Sequence, residues 1–297
     1  MSFGAAIRPL TSRRLSSASL RGRFFRSRRV IIAGIFLLII VLIAIAAPLL
    51  SPANPLKNDL DNRLRPPFEP LPDGRFLLGG DVLGRDILSR AIWGARISLL
   101  VGIIAVFVAG SVGVTLGLLA GFFGGGTDDL IMRIADVQLA IPTLLLAIAL
   151  IGVLGPSLHN LILVLGISGW VIYARTIRGV VLSLREAQFV EAARSIGVPT
   201  GRIMIVHILR NVWTPVIVIA TQQMGGMMIA ESALSFLGMG VPPPEATWGG
   251  MIAEGRNYLS TAWHATTLPG VILVVTVLAV NFFGDGLRDV LDPRLRL

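Results

Sequence analysis

The sequence predicts an all-α membrane protein with six transmembrane helices and both termini in the cytoplasm. Three observations predict it. The chain is 54% hydrophobic and only 14% charged, with a mean hydropathy of +0.79, far from the balance of a soluble domain of this length. Six apolar stretches approach the roughly 20 residues that a bilayer demands of a helix. Basic residues, finally, concentrate in every second connection between those stretches, as the positive-inside rule requires.

The chain opens with a basic tail, residues 1–29, containing eight arginines and no acid. Such a tail stays in the cytoplasm and meets anionic lipid headgroups; next to a membrane span, nucleic acid is the poorer partner. The first span, 30–50, is too long for the apolar core of a cleaved secretory signal, about 7–15 residues, and reads as an uncleaved helix. Residues 51–96 form an extracytoplasmic segment with seven basic and six acidic residues. Its proline-rich first half reads as irregular. Val82, Ile87, Ala91 and Ile92, alternating with Arg85, Asp86, Ser89 and Arg90, predict an amphipathic helix over 81–96 resting on the outer surface.

The core, 97–290, holds the other five spans: 97–123, 130–154, 161–174, 212–229 and 267–284. The fourth is short as bounded and extends from near 158 towards 177. Gly113, Gly117, Gly121 and Gly125 recur every four residues and predict a small-residue seam, either inside the subunit or at a subunit interface. Pro142 predicts a kink in the third span, because it removes a backbone donor and crowds the preceding turn. Arg133 and Asp136, three apart on that span, predict an intramembrane charge pair. A short tail, 291–297, returns to the cytoplasm.

The inside loop of about 175–210 carries six arginines against two glutamates. Within it, Phe189, Ala193 and Ile196 fall on one side of a helix and Glu191 and Arg194 on the other. Gly197 and Pro199 end that helix, and a second begins near Thr200. The result is a compact knob, either a partner's docking point or a loop lying on headgroups.

The absence of cysteine excludes disulfides, thiolate metal sites and cysteine nucleophiles. His159, His207 and His264 fall on both sides of the membrane, which argues against a metal site. The chain's one lysine, Lys57, lies on the outer side, so a phosphate-binding G-x-x-x-x-G-K-[ST] loop is excluded.

Glu191, Ala192, Ala193 and Gly197 match the E-A-A-x-x-x-G loop of the permease subunits of bacterial ABC importers. With "LLGGDVLGRDILSRAIWGARISL", "GFFGGGTDDLIMRIADVQLAIPTLLLAI", "ESALSFLGMGVPPPEATWG" and "PGVILVVTVLAVNFFGDGLRDVLDPRL", the chain resembles the dipeptide, oligopeptide and nickel family of binding-protein-dependent transport systems. That resemblance implies the type I ABC importer permease fold and no cofactor. It implies a heterodimer with a homologous permease, two cytoplasmic ATPases docked on the EAA loops, and an extracytoplasmic substrate-binding protein. Di- and oligopeptides are the expected cargo, with nickel chelates or glutathione as alternatives. The chain departs from the family at Arg210, where a proline is usual, and at Gly80, where a threonine is usual. An ion-gradient transporter would place acids deep in its spans, and an enzyme would need a histidine–carboxylate or serine–histidine constellation there.

Overall fold

Nine helices of eight residues or more account for most of the computed structural model, which describes residues 28–69, 71–73 and 75–291. They are α1 (Arg28–Ile45), α2 (Ile87–Phe123), α3 (Gly125–Leu139), α4 (Thr143–Leu154), α5 (Leu158–Leu184), α6 (Gln188–Ser195), α7 (Leu209–Phe236), α8 (Trp248–Gly255) and α9 (His264–Leu291). Of the cytoplasmic tails expected over 1–29 and 291–297, residues 1–27 and 292–297 lie outside the described residues. Five of the helical stretches are long and apolar enough to span a bilayer; α3 and α4 make a sixth span only when taken as one broken element.

That break corrects the simple kink expected at Pro142. Pro142 has no N–H to return to the preceding turn, and its ring pushes the residue before it away from helical geometry. Its own ψ of 129° is extended, so α3 stops, α4 restarts at Thr143, and the two axes differ by 90°.

The amphipathic surface helix expected over 81–96 is also corrected. Residues 81–86 form a loop, and helix begins at Ile87, where the Asp86 carboxylate accepts from Ser89 N and Ser89 Oγ at 2.7 and 2.5 Å. From there α2 continues without interruption to Phe123. The polar residues expected to face water, Arg85, Asp86, Ser89 and Arg90, are all buried. Local periodicity identified two faces; tertiary packing covers both.

The fourth span starts at Leu158, capped by Ser157 Oγ accepting from Asn160 N at 3.1 Å, but runs to Leu184 and takes in Arg175 and Arg178, which the sequence reading left in the loop. It packs parallel to α2 along most of its length. Glycine makes this approach feasible. A Cβ on Gly113 would stand 2.3 Å from Trp170 O, on Gly117 2.5 Å from Ala174 O, and on Gly121 2.9 Å from Arg178 O. Gly125 departs from the expected seam: Gly124, with φ of 66°, ends α2, and a Cβ on Gly125 meets nothing within 4 Å.

The remaining helices close around this pair. Val101, Ala105, Ala109, Leu165 and Met227 share a core cluster joining α2, α5 and α7. α9 lies against α7 and α1. Against the start of α2, α8 begins at a Thr247 cap and buries Trp248, whose indole donates to Ala91 O at 3.0 Å.

Candidate coupling knob and charged clusters

The segment between α5 and α7 is built by a short amphipathic helix and a glycine stop. Val190 and Ala193 of α6 are buried with Leu118 and Phe122 of α2, Ile177 and Val181 of α5, and Ile203, Met204 and Ile208. Phe189 and Ile196, which share a side with Ala193 by spacing, are exposed at 42% and 80%, and it is Val190 that joins Ala193 in the buried stripe. Gly197, at φ of 78°, reverses the chain, and its N–H and that of Val198 bond Arg194 O at 2.9 Å and Ala193 O at 3.0 Å. Those bonds satisfy carbonyls that a helix end otherwise leaves bare.

Glu191, Ala192 and Gly197 stand exposed on the opposite face. Glu191 makes no ion pair among the described residues. Arg194 lies over the Phe122 ring at 5.6 Å, fastening the knob to the end of α2. Beyond Pro199 the chain takes one turn, Thr200–Arg202, then a π-helical turn, Ile203–Ile208, before entering α7. Asn211 Nδ2 donates to His207 O at 2.6 Å across that junction. Arg210 sits in the first turn of α7, exposed.

The expected Arg133–Asp136 pair is replaced by a different one. Asp136 pairs with Arg175 of α5, while Arg133 is exposed and forms no ion pair among the described residues. Asp128 takes the Arg178 guanidinium in two-pronged fashion, with Nη2 to Oδ2 at 2.6 Å. Farther along, Gln138 accepts from the Trp170 indole at 2.7 Å and donates to Ser168 O at 2.9 Å. Three side chains of α3, Asp128, Asp136 and Gln138, thus lace it antiparallel to α5. Their partners lie some 30–50 residues away, so helix spacing gives no sign of them.

A second cluster sits at the opposite end of the bundle from α6. Asp81 binds Arg85 Nε at 2.7 Å and also pairs with Arg90, and Glu254 of α8 joins both arginines, at 2.5 Å to Arg85 and 2.6 Å to Arg90. The cluster ties the outer loop to α8. Gly80 belongs to this region: a Cβ there would stand 2.1 Å from Asn62 O, so the position admits only glycine in this packing. Glu231 is fully buried and accepts from Ser235 Oγ at 2.8 Å. No group of metal-ligating side chains occurs among the described residues.

A bundle of apolar helices, charged at its two ends and carrying a rigid knob between two spans, is the make-up of a polytopic membrane permease. The chain belongs to the family described as the binding-protein-dependent transport system inner membrane component, whose model matches residues 113–297. A second model, the N-terminal TM domain of oligopeptide transport permease C, matches residues 18–67. The chain is 44% identical to the di/tripeptide transport system permease protein DppC of Pseudomonas aeruginosa, over 88% of this chain and 87% of that one. It is 40% identical to the glutathione transport system permease protein GsiD of Pectobacterium atrosepticum, over 92% and 90%. Its fold resembles a solved structure of the MetNI methionine ABC transporter in inward-facing conformations, with a TM-score of 0.55, 19% identity, and coverage of 68% of this chain and 96% of that one.

Proposed function

We propose that this chain is the permease subunit of an ATP-driven importer that moves di- and oligopeptides across the cytoplasmic membrane, with both its termini inside. The peptide assignment follows the name of its relative DppC. Glutathione, itself a peptide, is the second reading, favoured by the similarity to GsiD. In this reading the partners are a homologous permease, two cytoplasmic ATPases and an extracytoplasmic binding protein. ATP hydrolysis belongs to the ATPases, and the path for the peptide lies between the two permeases. The chain itself does no covalent chemistry.

The observation that carries the reading is the two-faced knob. One face of α6 is anchored in the bundle through Val190 and Ala193, while Glu191, Ala192 and Gly197 stay exposed for a partner. Closure of the ATPases would push the knob, and the shared packing around Phe122, Val181 and Val212 would pass the movement to α2, α5 and α7. The small Ala192 lets a partner backbone approach closely, and Glu191 offers it a charged anchor.

Glu191→Lys and Gly197→Leu test this. Each is expected to abolish dipeptide uptake while leaving the protein at normal abundance in the membrane. Leucine at Gly197 forces a branched side chain into a left-handed conformation, at a cost of about 1–3 kcal/mol to the turn that shapes the knob. Full ATP-coupled uptake by both variants would remove the docking role. Mass spectrometry of the ligand held by the partner binding protein decides between peptide and glutathione.

A further inference from the structure

We propose that the outer groove between the first two spans binds a phospholipid whose headgroup joins a phosphate to a primary ammonium, as phosphoethanolamine does. The groove is a cavity of about 880 Å³ whose lining includes Pro48, Leu56, Trp93, Arg96, Leu100 and Glu245. It contains one cation and one anion, both exposed, and neither Arg96 nor Glu245 makes an ion pair among the described residues. The Arg96 guanidinium lies 5.0 Å from the centre of the Trp93 ring. The Trp93 indole N–H is buried without a hydrogen-bond partner.

Depth and shape point to a lipid. Leu100 stands roughly 35 Å before the end of α2 at about 1.5 Å per residue, a little more than one hydrocarbon thickness. Arg96 and Trp93 therefore lie at headgroup level, where tryptophan and arginine are at home. Below them Leu100, Ile104 and Phe107 follow one another on a single face of α2, exposed at 41%, 38% and 72%, and make an apolar track for an acyl chain.

The headgroup chemistry follows from the two charges. Arg96 presents a planar fork of donors suited to phosphate. Glu245 is an acceptor for an ammonium that still carries N–H bonds. A trimethylammonium headgroup has none to give, and a glycerol headgroup supplies no cation to balance the acid.

The test uses the full chain, extracted in mild detergent with its co-purifying subunits, stripped of lipid and equilibrated with phosphatidylethanolamine, phosphatidylcholine or phosphatidylglycerol of matched chains. Native mass spectrometry is expected to find the ethanolamine lipid retained about tenfold over the other two, the gain of one charge-assisted hydrogen bond. Arg96→Ala and Glu245→Gln should each bring the three lipids to within about twofold. Glu245→Lys should turn the preference towards phosphatidylglycerol, a reversal that mere loss of folding cannot produce. Equal retention by the unaltered chain, or a preference that survives Glu245→Gln, overturns the proposal. The chain has no native cysteine, so Ile104→Cys carrying a photoreactive label reports the occupant of the track. A cross-link to lipid supports the proposal, and a cross-link to a protein chain instead overturns it.

Discussion

At Gly117 the neighbour is backbone: an added Cβ would stand 2.5 Å from Ala174 O and 3.0 Å from Ala174 Cα, and neither can swing aside. Gly117→Ala is therefore expected to destabilise the α2–α5 pair by about 1–3 kcal/mol, the usual cost of forcing extra volume into a packed interface. Gly126→Ala should do the reverse. Its Cβ meets nothing within 4 Å, and alanine is the better helix former by about 1 kcal/mol. Thermal denaturation of the two purified variants in one detergent checks the contrast. The four-residue glycine period was legible because a helix repeats every 3.6 residues, so one face could be read from spacing alone. Gly125 shared the spacing yet lies beyond the turn at Gly124, and spacing does not reveal where a helix stops.

The third span shows what hydropathy conceals at the scale of an element. Residues 130–154 are apolar on average, and that average is blind to a backbone that turns through 90° at residues 140–142. The proline was visible, but whether the chain bends slightly or breaks depends on what holds each half. Here α3 is held to α5 by Asp128–Arg178, Asp136–Arg175 and Gln138–Trp170. These contacts rank the expected effects of substitution. Arg178→Ala loses a two-pronged bond to a largely buried carboxylate and should cost about 1–3 kcal/mol. Arg175→Ala breaks a pair whose side chains are 48% and 63% exposed and should cost under about 1 kcal/mol. Arg133→Ala should be neutral. Denaturant titration of the three variants checks the order, and equal losses at Arg133 and Arg178 would contradict the assignment of partners.

For the whole molecule, composition and loop charge already separated a polytopic membrane protein from every soluble class, because burial in lipid constrains the entire chain at once. The outer end was the part misread. Residues 81–96 alternate as a surface helix should, but Arg85 and Arg90 face Glu254, more than 160 residues away, instead of water, and Asp86 and Ser89 bond each other. Only the assembled bundle brings those charges together. Asp81→Asn leaves Arg90, 2% exposed, with Glu254 as its one remaining acid, and should destabilise the outer end by about 3 kcal/mol, near the lower range for a broken buried pair. Faster proteolysis of residues 51–86 in intact membranes, with the spans unaffected, is the expected readout. Glu254→Gln, at a position 27% exposed, should produce a milder form of the same change.

The unbroken run from Ile87 to Phe123 is about 55 Å long at the usual helical rise, nearly twice the thickness of the hydrocarbon it crosses. Arg194 grips it near one tip through Phe122, and Asp81 and Glu254 grip Arg90 near the other. A stiff beam held this way behaves as a lever. Tilting it by roughly ten degrees about one end sweeps the far tip through about 10 Å, so a small rotation at one end becomes a large displacement at the other, without any relay of intermediate side chains.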